Sequence, residues 1–222
     1  MDAILGLAEE VEPALVVVGG RGHGAIGRIL LGSVSEGVVH HSKFPVLVVR
    51  GGQDAWPPER VIVGDDGSGA AGGAAGLAAS IGAVFGAGIV LVRAYRYPPE
   101  PIGGWSPEDR RRLDEERARE EDALAKRARN LRQRPGNGLT TRLVEGDPAA
   151  AILRAGEESR SLLAVGSRGL GVIGRARFGS VSSKVLRAAT GPILVYPHVS
   201  GGSARANAGE ASTAGRRTRV PS

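Results

Sequence analysis

The sequence predicts an α/β fold. A doubly wound parallel five-stranded sheet is expected over residues 60–198, preceded by a partial second copy of the same unit over residues 1–50. Three observations carry this reading. Short apolar runs bounded by Gly and Pro, such as Leu162 to Val165 and Ile193 to Tyr196, have the length and composition of buried parallel strands. From Arg60 onward these runs alternate with helical segments in the order βαβαβαβαβ, which calls for one parallel sheet with helices on both faces. Finally, Gly19 to Ser35 returns without gaps as Gly166 to Ser182, 147 residues later, and duplication of a whole turn-and-helix unit is much stronger than one motif match.

The elements follow in order. Ile4, Leu7, Ala8 and Val11 share one face of a first helix that Pro13 ends. Leu15 to Val18 is a strand, the first glycine stretch leads into a helix reaching about His41, and Pro45 to Val49 is the next strand. Residues 51–59 hold turn formers without periodicity and read as a linker. Val61 to Val63 then forms a strand that ends in the acidic turn Gly64 to Ser68. Residues 69–87 should be helical, because another strand, Gly88 to Tyr95, follows. Six glycines in that span each cost up to about 1 kcal/mol relative to Ala, so tertiary packing must hold the helix. Ser106 and Pro107 start a long charged helix to about residue 133, with a thin stripe of Leu113, Ala118, Leu124, Ala128 and Leu131 to cover the sheet. Leu139 to Val144 is a strand, Asp147 caps a helix to about Glu158, and two further strands flank the second glycine stretch.

Composition bounds the function. The 222 residues hold 41% hydrophobic and 23% charged side chains, ordinary for a globular protein, with only 4% aromatics and 35 glycines. The absence of Cys excludes disulfides, thiolate zinc sites and thiol catalysis, and fits a reducing, cytoplasmic setting. No apolar run approaches the roughly 20 residues that span a bilayer, so no membrane partner is expected. The formal charge is +6, and Arg205, Arg216, Arg217 and Arg219 face only Glu210 in residues 199–222. That segment reads as a disordered, solvated basic tail rather than a nucleic-acid-binding arm.

The chemistry gathers at the glycine stretches. A strand that ends in a glycine turn before a helix offers backbone N–H groups where open α/β sheets bind ligands, and Gly166/Gly169 and Gly179/Ser180 approach from two sides. The Gly-x2-Gly-x9-Gly-Ser spacing, met at Gly166, Gly169, Gly179 and Ser180 and again at Gly19, Gly22, Gly32 and Ser33, resembles the nucleotide motif of universal stress proteins. Val63 to Ser68, Gly146 to Pro148 and Gly191 to Val195 match the same family.

The resemblance implies an adenine-nucleotide α-hydrolase-like sandwich that binds ATP, with or without Mg2+, in a regulatory or protective stress role. It also implies pairing, either between the two copies within the chain or in a homodimer. By position, Asp66 meets the adenine side and Ala94 and Val144 line the base and ribose pocket. Gly166, Gly169, Gly179 and Ser180 hold the phosphates, Val181 and Ser182 complete the contact, and Arg168 and Arg175 add charge.

Two departures qualify this. Asp65 stands where the family usually has an apolar residue; it opposes ATP if it faces the ligand and is harmless if it faces solvent. The glycine-laden helix after Ser68 is expected to loosen the pocket. Residues 1–50 lack counterparts of Asp66, Ala94 and Val144, so Gly19 to Ser35 forms no complete site alone. They read either as the remnant of a tandem protein, whose strand at Val46 to Val49 pairs with Ile193 to Tyr196, or as the end of a unit begun upstream of a misplaced start, the preferred reading.

The dinucleotide fingerprint Gly169-x-Gly171-x-x-Gly174 is weak, because Gly179 falls where the helix interior would lie, and the phosphate-loop lysine motif is absent. Asp66, Asp147 and the serines allow at most slow ATP hydrolysis, since no nucleophile and base pair up. His23, His40 and His41 read as surface residues rather than metal ligands. The alternative to ATP binding is an interaction module of the same fold.

Overall fold

Short runs of Val, Leu and Ile lie side by side in a single sheet. The computed structural model describes residues 1–20, 31–50, 55–132, 138–158, 160–167 and 178–198. The strands are β1 (Val16–Gly19), β2 (Val46–Val49), β3 (Arg60–Gly64), β4 (Gly88–Tyr95), β5 (Leu139–Glu145), β6 (Ser161–Gly166) and β7 (Ile193–Tyr196). The helices are α1 (Asp2–Val11), α2 (Ser33–His41), α3 (Gly69–Phe85), α4 (Pro107–Arg132), α5 (Pro148–Gly156) and α6 (Ser180–Ala188).

The sheet runs β1-β2-β7-β6-β3-β4-β5. Every neighbouring pair is parallel except β2 and β7, which are antiparallel. This corrects the five-stranded expectation: β3 to β7 are present, but β1 and β2 continue the same sheet to seven strands. The physical reason lies at β7, whose outer edge carries unpaired backbone groups until β2 hydrogen-bonds to it.

Side chains alternate between the two faces of the sheet. Ile62, Val90, Val92, Leu163, Val165, Ile193 and Val195 meet α2, α5 and α6 in one core. Val61, Val63, Leu91, Leu162, Ala164 and Leu194 meet α3 and α4 in the other. Strands buried on both faces account for the uninterrupted apolar runs.

The glycines of α3 have a packing role that the sequence concealed. Ala74, Ala75 and Ala78 are fully buried against the sheet, and Gly73 leaves room for the Tyr196 ring. Small residues let the helix lie close to the sheet. Ser68 caps α3 by accepting from the Ala71 N–H, and Gly86, at φ 69, ends it in the left-handed conformation.

Helix α4 begins as its cap predicts, with Ser106 Oγ accepting from Asp109 N at 3.1 Å. Its contact stripe is shorter than the sequence suggested. Leu124 and Ala128 are buried and Leu131 is half-buried, but Ala118 is exposed, so the C-terminal half of α4 covers the sheet. Among the described residues no helix is long and apolar enough to cross a membrane. Residues 51–54 of the expected linker and the basic tail lie outside the described residues.

Candidate functional site

Strand β3 pairs with β4 on one side and β6 on the other, so successive connections diverge from it to opposite parts of the sheet. A crevice at the carboxyl ends of strands is expected at such a point. The turn after β3 and the end of β6 border it.

The turn after β3 is built from side-chain caps. Asp66 is exposed, and its Oδ1 accepts from Ser68 N at 3.0 Å. Gly67 takes φ 83, a conformation that glycine adopts without strain. Gly64 fits beneath Ile152, whose Cδ1 lies 2.4 Å from where a Cβ would stand.

Asp65 does neither of the two things expected of it. Its side chain is fully buried, paired with Arg93 and, at 2.9 Å, with Arg127 Nε. Arg93 pairs in turn with Glu120 at 2.8 Å. Burial disfavours the Arg93 charge, but the carboxylates of Asp65 and Glu120 outweigh it and hold the guanidinium more basic than an ordinary Arg.

Among the described residues, three bonds tie the end of β6 to the end of β7 and the start of α6. Ser167 N donates to Tyr196 O at 2.7 Å, Gly179 N to Ser167 O at 2.7 Å, and Ser182 Oγ to Gly166 O at 2.5 Å. Gly166 comes so near the start of α3 that a Cβ there would sit 2.9 Å from Ala71 N. The end of β6 and the first turn of α3 are thus in contact.

Helix α6 opens with Gly179 at the N-cap and no side-chain cap bond. By contrast, Ser68 caps α3 and Asp147 caps α5, each with its own oxygen. The first-turn amides of a helix have no intrahelical acceptors. At α6 these belong to Ser180, Val181 and Ser182, with no side-chain oxygen from the cap to meet them.

The floor beside this end is apolar. Ala94 and Val144 are register partners on β4 and β5, and both pack, with Val181, against the α5 and α6 core. Asp147, the N-cap of α5, is bridged to Lys184 Nζ at 3.0 Å and Arg96 Nη2 at 3.1 Å. The Ala150 N–H and then Lys184 hold the Asp147 carboxyl below the ordinary carboxylate range.

The structure therefore joins Gly166 to Ser182, places Gly179, Ser180 and Val181 at one helix start, and sets Ala94 and Val144 side by side. Asp66 and Ala94 also line a cavity of about 450 Å3 with Tyr95, Tyr97 and Arg117. Arg168, Gly169 and Arg175 lie outside the described residues, as does His23. Arg93, Arg127, Arg96 and Lys184 escaped the sequence reading. Arg93 alone left a signal, as a lone charge in the apolar strand Ile89 to Tyr95.

The same three bonds, from the end of a strand to the end of its neighbour and the start of the next helix, occur 147 residues earlier. Gly20 N donates to Val49 O at 2.8 Å, Gly32 N to Gly20 O at 3.1 Å, and Ser35 Oγ to Gly19 O at 2.6 Å. Gly32 also starts α2 without a side-chain cap bond.

A sequence model of the universal stress protein family matches residues 2–50 and 58–197. The chain belongs to the universal stress protein family. It is 35% identical over 186 residues to a universal stress protein of Mycolicibacterium smegmatis, covering 82% of this chain and 60% of that one. A universal stress protein of Mycobacterium tuberculosis is 34% identical over 187 residues, covering 82% of this chain and 58% of that one. The chain thus spans about three fifths of the length of these curated relatives. Among solved structures, a universal stress protein of Archaeoglobus fulgidus is 26% identical with a TM-score of 0.56, covering 87% of this chain and 66% of that one.

Proposed function

We propose that residues 60–198 bind an adenine nucleotide, ATP in the first instance, and that the protein uses this binding in a regulatory or protective response to stress. The observation that carries the reading is the uncapped start of α6 beside the carboxyl end of β6. First-turn N–H groups without intrahelical acceptors and the positive end of a helix dipole favour phosphate oxygens, and glycine permits their close approach.

In this reading Gly166, Gly169, Gly179 and Ser180 hold the phosphates, with Val181, Ser182 and Arg168 adjoining. Ala94 and Val144 form the apolar surface for base and ribose, and Asp66 accepts a hydrogen bond from the nucleoside. Bound Mg2+ would supply charge neutralisation for the phosphates. Buried Asp65, neutralised by two arginines, leaves the reading intact. The role is binding, with hydrolysis slow at most, and the proposed location is the cytoplasm.

We further propose that residues 1–50 are the C-terminal part of a second unit of this fold, paired with the complete unit through β2 and β7. The supporting observation is the recurrence of all three bonds at a constant spacing.

Isothermal titration with ATP tests the site. Wild-type protein should bind, while Asp66→Ala and Gly169→Val should each weaken binding by about tenfold or more, the scale of one lost charge-assisted contact. Absence of binding by well-folded wild type overturns the nucleotide reading. A single-turnover assay of phosphate release on the same sample separates a binder from a slow ATPase.

A further inference from the structure

The geometry points to Arg127 as a positioning residue. From α4 it fixes the Asp66 turn through buried Asp65, so that α4 sets the conformation of the nucleotide-facing loop. The inference rests on the nucleotide reading for its functional consequence, but the pinning of the turn stands on contacts alone.

Arg127 Nε meets Asp65 Oδ1 at 2.9 Å, and Arg127 Nη2 donates to Ser68 O at 3.2 Å. One guanidinium therefore holds both ends of the segment that carries Asp66. The other oxygen of Asp65 is held by Arg93, and Asp65 Oδ1 also lies 3.4 Å from Gly67 N. Arg93 is tied back to α4 through Glu120. The turn is thus gripped by two arginines, one on α4 and one on β4, and α4 supplies a carboxylate as well.

A merely structural account of this cluster is weak. Removing charges from water costs so much that a buried ion pair is often no more stabilising than apolar residues of similar size. Here Arg93 is only 6% exposed, and its Nε has no hydrogen-bond partner among the described residues. A cluster kept under those conditions is better suited to fixing a conformation than to adding stability.

Gly72 adds an independent observation. A Cβ at this position would stand 2.3 Å from Arg127 Nη1. The absence of a side chain in α3 thus opens the path along which Arg127 reaches the turn. This glycine, which weakens the helix by propensity, has a specific geometric consequence.

The experiment uses the full chain with three variants: Arg127→Gln, Arg127→Lys and Gly72→Ala. Gly72→Ala displaces the guanidinium without removing its charge. Two readouts are taken: amide hydrogen exchange of residues 64–71 in the nucleotide-free protein, and ATP affinity by titration well below the unfolding temperature. At that temperature nearly all molecules are folded, so a loss of global stability alone leaves the affinity unchanged.

Arg127→Gln and Gly72→Ala should each speed exchange at Gly67 and Ser68 about tenfold, with the amides of β6 and β7 unaffected. They should weaken ATP binding by a similar factor. Arg127→Lys, which keeps one donor for Asp65, should fall between Gln and wild type in both readouts. Exchange at Gly67 and Ser68 equal to wild type in Arg127→Gln and Gly72→Ala overturns the inference, whatever the ATP result. Faster local exchange with unaltered ATP affinity also overturns it, because the turn then does not position the ligand. If wild type binds no ATP, the nucleotide reading falls, and the exchange data still decide whether Arg127 pins the turn.

Discussion

At Gly166 the end of β6 touches the first turn of α3, and the space left is smaller than one methyl group. A Cβ there would lie 2.8 Å from Ala70 Cβ and 2.9 Å from Ala71 N, and backbone cannot swing aside as a long side chain can. Gly166→Ala should therefore lower unfolding stability by about 1–3 kcal/mol, the usual cost of overpacking, as read by urea denaturation. Gly69→Ala, where nothing lies within 4 Å, should cost much less in the same assay. A second residue-scale prediction concerns acid. Asp147 titrates below its ordinary value of 3.8 because the Ala150 N–H and Lys184 favour its charged form. A depressed carboxyl contributes stability that is complete above the unfolded value and lost as pH falls through the folded one. Asp147→Asn keeps an N-cap oxygen for Ala150 but gives up the charges on Lys184 and Arg96. The variant's stability should thus match wild type more closely below pH 3 than at pH 6, measured by thermal melts across that range. An equal deficit at both pH values contradicts the assignment.

Helices show why propensity alone misjudges the glycines. Gly6 in α1 has nothing within 4 Å of its missing Cβ, whereas the Cβ position of Gly73 in α3 lies 2.3 Å from the Tyr196 ring. Both substitutions to Ala gain the same helix propensity, up to about 1 kcal/mol. Gly6→Ala should raise the melting temperature, and Gly73→Ala should lower it by forcing Tyr196 out of place. If both variants gained stability, the close packing of α3 on β7 would be refuted. Most element boundaries were legible in the sequence, because apolar runs, caps and prolines act locally: Ser68, Ser106 and Asp147 each begin the helix expected of them. In the candidate site, Gly179 and Ser180 stand at the helix start where turn chemistry put them. The placement of Asp65 was not legible. Its partners Arg93 and Arg127 come from other elements, and only the packing of α4 on β4 brings them together. Ala118 misled in the opposite sense, since a helical period predicts a face without saying how far along the helix that face is covered.

On the scale of the molecule, the join between β2 and β7 was legible only through the repeat and the family resemblance, as one of two readings of residues 1–50. Strand pairing across so many residues leaves no periodic trace, and the pattern of either strand fits an edge or a centre equally well. Once seen, the join has a symmetry of its own. Leu47 faces Leu194, a residue 147 positions on, while Val46 faces Val195 and Val48 faces Ile193. Equivalent positions thus meet about a local two-fold axis, the arrangement of an isologous contact within one chain. Leu47 and Leu194 are both buried in the core shared with α3 and α4. The two halves therefore share core as well as backbone bonds, and they should unfold together. Urea denaturation followed by both far-ultraviolet circular dichroism and tryptophan fluorescence should give one coincident transition. Trp56 and Trp105 both lie beyond residue 50, so fluorescence reports on the larger part alone. Leu47→Ala should move both probes together by about 2–5 kcal/mol, the cost of a large-to-small change in a packed interior, with the denaturant slope unchanged. If the circular dichroism split into two steps while the fluorescence midpoint stayed at its wild-type value, residues 1–50 would be an appendage whose release leaves the sheet standing, and the continuous seven-stranded core would not be the cooperative unit.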